Sequence, residues 1–117
     1  MKARPLFAAV AIAALSGCAS DPAPTEQLKL TEQAVAQATA VGATDDQPDM
    51  ATAQSKLTQA QADMADKSYK QARMQAEQAE LDARLAEARV LTEKSEEQLG
   101  QVNTRLDRLR KQLGAAQ

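Results

Sequence analysis

The chain has 117 residues, a net charge of −2, no histidine and an aromatic fraction of 2%, which bounds it to one small domain. Alanine supplies much of the 44% hydrophobic share, and at roughly 25 cal/mol per Å² of apolar surface an alanine-built interior excludes a thick globular core. The Ala, Gln, Leu and charged composition is that of long helices and coiled coils, and the near-neutral charge carries no nucleic-acid footprint.

Lys2 and Arg4 open the chain, an apolar run follows from Leu6 to Leu15, and the small residues Ser16 and Gly17 precede Cys18, the single cysteine. Positive charge, apolar stretch and small residues in that order read as a secretory signal peptide over 1–17. The apolar run is too short for a membrane span, which needs about 20 such residues. The residues Leu15-Ser16-Gly17-Cys18 resemble the lipobox of bacterial lipoproteins. That resemblance implies cleavage between Gly17 and Cys18 and lipid (palmitate among it) on the new N-terminal cysteine. Two or more acyl chains hold a protein stably on a bilayer, where one does so only marginally. In such lipoproteins an aspartate after the cysteine tends to retain the protein in the inner membrane. Ala19 and Ser20 stand here instead, so the resemblance implies the outer membrane, facing the periplasm.

Loss of Lys2 and Arg4 lowers the 14 basic residues to 12 against 16 acidic ones, a mature net charge of −4. Residues 18–25 form a lipidated tether, polar and broken by Pro22 and Pro24. Thr25 is an expected N-cap with Glu26 in the first turn. A first helix is predicted to Val41, its apolar stripe formed by Leu28, Leu30, Ala34, Val35, Ala38 and Val41. Gly42 suits a C-terminal cap, and Pro48 marks a restart near a helix N-terminus. Asp45, Asp46 and Asp49 lack the spacing of a calcium loop and read as solvated acids opposing the helix dipole. No metal or other cofactor is expected.

The second helix carries Met50, Ala53, Leu57, Ala60 and Met64 at alternating spacings of three and four, one apolar seam. Ser68 and Gln71 then spell a capping box for a third helix. With no glycine or proline at this boundary, one helix running straight through Lys67 stays open. From Ser68 the pattern is helical to about Leu113, a rod of roughly 65–70 Å.

Two stripes run along that rod. Tyr69, Ala72, Ala76, Ala79, Ala83, Ala86 and Val90 form a small-residue seam suited to close antiparallel packing against the second helix. Leu81, Leu85, Ala88, Thr92 and Ser95 begin a second stripe, which continues through Leu99, Val102, Leu106, Leu109 and Leu113. Ala83 and Leu85 lie two residues apart, so the stripes differ by about 200° and face nearly opposite ways. The alanine stripe is expected to close the bundle and the leucine stripe to meet another chain as a coiled-coil seam. A tail folded back on the first helix is the alternative. Pairs at i, i+4 (Arg73/Glu77, Glu80/Arg84, Arg89/Glu93, Asp107/Lys111) are expected on exposed faces. Arg105, Arg108, Arg110 and Lys111 form a basic cluster, read as cations favoured near a helix C-terminus or as a contact for an acidic partner or the cell wall.

The expected fold is therefore all-α: an antiparallel helical hairpin or small three-helix bundle with one long C-terminal coiled-coil-like helix. Its two short helices span 26–65 and the long helix 68–113. The stretch 55–90, with its Lys56-Leu57 run, the turn ending in Tyr69 and the alanines from Ala72 onward, resembles the helical domain-of-unknown-function family 4398 of Gram-negative bacteria. Members are often lipoproteins, and some carry an OmpA-like peptidoglycan-binding domain, for which this chain leaves no room. The family has no established activity, so the resemblance implies location and fold. Lys67 and Ser68 replace the glycine that members often have at this turn. A looser likeness is to the murein lipoprotein, whose C-terminal lysine links to the wall. This chain ends in Gly114-Ala115-Ala116-Gln117, and that covalent link is not expected.

Without histidine, a Gly-rich phosphate loop or a second thiol, no enzymatic site is expected. The expected role is a structural spacer acting through a homo-oligomer. The alternative is an adaptor that docks on another envelope protein or on peptidoglycan.

Overall fold

A computed structural model of the protein describes residues 21–116. The signal segment, its cleavage site at Gly17 and the lipidated Cys18 lie outside these described residues. Three helices form: α1 over Thr25–Val41, α2 over Pro48–Ala65 and α3 over Tyr69–Ala115. The expected all-α architecture is present, as a small three-helix bundle from which the end of α3 projects.

Helix α1 starts one residue earlier than its expected cap allows. Pro24, not Thr25, occupies the N-cap position without any side-chain bond. Its carbonyl accepts the Leu28 N–H at 3.0 Å. Pro24 is buried while Thr25 is exposed, so the ring closes the base of the bundle where a threonine hydroxyl was expected to cap it. The other end of α1 follows expectation. Gly42 is left-handed, with φ 107°. The Ala43 N–H reaches Ala38 O at 2.9 Å and the Gly42 N–H reaches Thr39 O at 3.0 Å, which is a Schellman motif. Ala38 and Ala43, the two residues that this motif brings together, are both buried in the core.

Pro48 opens α2 at its first turn, with Gln47 as the cap residue. Asp45 and Asp46 are exposed in the preceding turn. Asp49 departs from expectation: its carboxylate lies 2.8 Å from Arg89 Nη1 of α3, with only 18% of the side chain exposed.

A real break separates α2 from α3, so the uninterrupted helix is excluded. Lys67 adopts φ 61°, the Ser68 N–H reaches Asp63 O at 2.8 Å and the Lys67 N–H reaches Met64 O at 3.1 Å. This is a second Schellman motif, built on a lysine where glycine is usual. The expected Ser68–Gln71 capping box does not form, since Ser68 makes no side-chain cap bond. Its ψ of 60° falls short of the extended backbone from which a cap hydroxyl reaches the first-turn N–H groups.

The core is stacked in three layers. Leu28, Ala60 and Ala76 form one, with Leu57 and Met64 against it. Ala34, Ala53 and Ala83 form the next. Ala38, Ala43, Met50, Ala86 and Val90 close the third. Residue numbers rise along α1 and α3 and fall along α2 through these layers, so α1 and α3 run parallel and α2 antiparallel to both. The alanine seam of α3 is buried from Ala72 to Val90, and its small side chains let the helices approach closely. Leu30 is 49% exposed and drops out of the expected α1 stripe. Thr31 replaces it, fully buried, its hydroxyl 2.9 Å from both Gln27 O and Ala76 O.

Polar links at the rim set the register of each helix pair. Lys56 Nζ meets Asp82 Oδ2 at 2.7 Å between α2 and α3. Gln27 Nε2 donates to Glu80 Oε2 at 2.7 Å between α1 and α3. Gln61 Nε2 donates to Glu32 Oε1 at 3.0 Å between α2 and α1. Of the expected i, i+4 pairs, Glu80–Arg84 forms at 2.6 Å. Two others are replaced: Arg89 turns to Asp49 instead of Glu93, and Asp107 pairs with Arg110 at 3.3 Å instead of with Lys111. Arg89 chooses the partner that ties two helices together.

Candidate functional site

The projecting part of α3 is the surface that the bundle does not account for. Every residue from Leu91 to Ala116 is exposed. The helix continues unbroken from the buried seam to Ala115, a length of about 70 Å. The transition comes at Val90, the last buried residue of the alanine seam. Lys94 Nζ donates to Val41 O at the C-terminal end of α1, where a cation also meets the negative end of the helix dipole. Beyond Lys94, α3 makes no hydrogen bond or ion pair to another helix among the described residues.

On the projection, Leu99, Val102, Leu106, Leu109 and Leu113 are 43–70% exposed. The stripe also runs back over the bundle through Leu81 at 67% and Leu85 at 43% exposure. Among the described residues nothing covers it, and the tail does not fold back on α1. At alternating spacings of three and four, these side chains lie on one line along the helix. The leucines of α3 are therefore segregated from its buried seam, which is built from five alanines and Val90. Leucines left in water on a regular line mark an interaction surface more than scattered exposed leucines would.

Charge is also segregated along the tail. Glu93, Glu96 and Glu97, with Lys94 among them, precede the neutral stretch 98–104, and Arg105, Arg108, Arg110 and Lys111, with Asp107 among them, follow it. The last turn of α3 holds no basic residue, so the basic cluster sits upstream of where the helix dipole acts most strongly. That removes the expected dipole explanation and leaves the cluster as a surface charge.

The remaining surface offers little for chemistry. A shallow groove along the tail is lined by Glu97, Gly100, Gln101, Thr104, Arg105 and Arg108, all from one helix, so no opposing wall excludes water. Among the described residues no cluster of histidine, cysteine or acidic side chains is placed to hold a metal, and no helix is long and apolar enough to cross a membrane. The carboxyl of Glu80 is perturbed. The Gln27 amide and then the Arg84 guanidinium hydrogen-bond its charged form and hold its pKa below the usual glutamate value, against a smaller opposing effect of burial. It serves the α1–α3 contact.

Leu99, Val102, Leu106, Leu109 and Leu113, the residues expected to form a seam, all lie exposed on α3. Sequence reasoning missed Thr31, Lys94 and the Asp49–Arg89 pair. Thr31 had a signal, since Leu28, Thr31, Val35 and Ala38 repeat the three-four spacing. The other two join residues distant in sequence and left no local pattern.

A slender all-α bundle with one projecting, seam-bearing helix is the class that this geometry defines. The family described as Domain of unknown function (DUF4398) matches residues 26–102, which takes in the bundle and the first part of the projection. The chain belongs to the DUF4398 family. It is similar to a DUF4398 family protein from Pseudomonas aeruginosa PAO1 whose crystal structure is solved, at 60% identity and a TM-score of 0.79. That likeness covers 82% of this chain and 100% of the other. No curated protein shows a significant match.

Proposed function

We propose that the protein is a non-enzymatic, lipid-anchored helical protein of the bacterial envelope that acts as a structural spacer through self-association of α3. The observation that supports this reading is the uncovered line from Leu99 to Leu113 on a helix that outruns its own bundle. A coiled-coil seam needs apolar residues at this spacing and a second helix to cover them. The lipobox residues ending at Cys18 supply the membrane partner. They also supply the localisation, the outer membrane with the domain in the periplasm.

A second reading has the basic residues from Arg105 to Lys111 dock on an acidic envelope protein, or non-covalently on peptidoglycan. Their separation from the last turn of α3 favours it.

Sedimentation of the mature chain with Cys18→Ser tests the first reading. An oligomer at micromolar concentration that dissociates on Leu106→Lys, with the bundle's helical signal intact, is expected. A monomer at high micromolar concentration overturns it. Membrane fractionation of Cys18→Ser in cells tests the anchor, and unchanged fractionation removes it.

A further inference from the structure

The geometry points to an antiparallel pairing of two tails, with the acidic end of one helix beside the basic end of its copy. This rests on the self-association reading above and adds the orientation. If the leucine stripe is written as a heptad seam, Arg84 and Arg105 flank it on one side, and Arg89 and Arg110 on the other. In a parallel pair, the flanking residue on one side meets the residue five further along on the partner. That juxtaposes Arg84 with Arg89 and Arg105 with Arg110, like charge against like, on both sides of the dimer. No opposite-charge pair forms at these flanking positions to offset them.

Reversing one helix lessens the conflict. Arg84 and Arg89 leave the paired region and Arg105 and Arg110 no longer meet, which leaves one like-charge contact, Arg105 beside its own copy near the crossing point. With the crossing point near Thr104, Leu99 lies level with Leu109 of the second copy, Val102 with its Leu106, and Ser95 with its Leu113. The apolar layers are therefore kept. Glu96 of each copy then flanks the same side of the seam as Arg110 of the other, two residues apart in level, so an opposite-charge pair forms at each end of the overlap. Charges flanking a seam are partly shielded from water and lie within a Debye length, about 8 Å at physiological salt. Such complementarity selects orientation more than it adds affinity. The charge segregation along the tail, which the bundle does not use, acquires a role in this arrangement.

The pairing has a geometric consequence for the anchor. The two Tyr69 ends of the paired helices lie about 105 Å apart, at 1.5 Å per residue from the crossing point. The Thr25 end of each α1 lies at the same end of its bundle as Tyr69, because α1 and α3 run parallel. A dimer lipidated at both Cys18 residues on one membrane therefore lies along that membrane instead of standing on it.

Pulsed dipolar EPR on the mature Cys18→Ser chain tests the orientation, with a nitroxide at Glu87→Cys or at Gln101→Cys. The Gln101 labels are expected within about 30 Å of each other, two helix diameters plus a small axial offset. The Glu87 labels are expected to be separated by about 50 Å along the axis. Glu87 labels as close together as the Gln101 labels would establish a parallel pair, overturning this orientation while leaving self-association in place. No dipolar signal at either site, together with a monomer in sedimentation, would overturn both.

Discussion

The Thr31 hydroxyl lies 2.9 Å from the carbonyl oxygen of Ala76, a fully buried link between α1 and α3. The same hydroxyl is 2.9 Å from Gln27 O, so its single proton serves two carbonyls and the hydroxyl stays satisfied in either position. Replacing Thr31 by valine keeps the shape and deletes the donor. A loss of about 0.5–1.5 kcal/mol is expected from the missing hydrogen bond, read as a lower urea midpoint with unchanged slope. Thr31→Leu is expected to cost more, since Thr31 is fully buried against the Ala76 backbone and a larger side chain overpacks the site.

Lys67 and Gly42 occupy the same left-handed position in two Schellman motifs, at φ 61° and φ 107°. A Cβ in that region costs about 1–2 kcal/mol, and glycine escapes the cost. Lys67→Gly is accordingly expected to stabilise the bundle by about 1 kcal/mol, less what is lost to the greater freedom of the unfolded chain. Gly42→Ala is expected to destabilise it by about 1 kcal/mol or more. Thermal unfolding of the two variants should move in opposite directions.

The two stripes of α3 should answer differently to substitution. Ala83 is fully buried in the middle core layer, and Ala83→Leu is expected to cost about 1–3 kcal/mol through overpacking. Leu109→Ala removes a side chain that is 54% exposed and should leave the bundle's unfolding within about 0.5 kcal/mol of the parent. Dilution series monitored by light scattering would show the converse pattern, with Leu109→Ala weakening association and Ala83→Leu affecting it only through folding.

Glu80 gives stability a pH dependence of predictable sign. Its folded pKa is held below the ordinary value of 4.5 by Gln27 and Arg84, so the folded chain binds a proton there less readily than the unfolded one. The stabilisation is complete above about 4.5 and is lost as pH falls from there through the lowered pKa. Glu80→Gln should flatten that part of the stability profile below pH 4.5. Denaturant titrations at intervals from pH 6 to pH 3 measure it.

Most of the architecture was legible because three-four periodicity is strong when a seam is built from one residue size. The alanines from Ala72 to Ala86 are all buried, as their spacing required, and Gly42 and Pro48 punctuate α1 and α2 where backbone sterics place them. The misreadings share a different cause. Thr31 is absent from a stripe read by hydrophobicity alone, although a threonine can bury its methyl while its hydroxyl bonds a helical carbonyl. Arg89 was assigned to Glu93 one turn away, but a partner on α2 links two helices and local spacing carries no trace of it. Ser68 fitted a capping-box pattern, yet the backbone leaving Lys67 in a left-handed turn arrived with the wrong ψ for its hydroxyl to cap. On the projecting tail, the stripe itself was readable from spacing. That the dipole does not explain the basic cluster became visible only once α3 was seen to run on to Ala115.

The buried seam of α3 ends at Val90, level with the loop that joins α1 to α2. Below that level the three helices must match in length, because each layer draws a residue from every one of them. Above Lys94 no such constraint applies. Inserting or deleting seven residues there shifts the tip by about 10.5 Å and returns the stripe to within about 20° of its line. The same change between Ala72 and Val90 would slide every alanine out of its layer. The fold thus separates a base of fixed dimensions from a projection that can be lengthened or shortened in whole heptads without altering how the base folds.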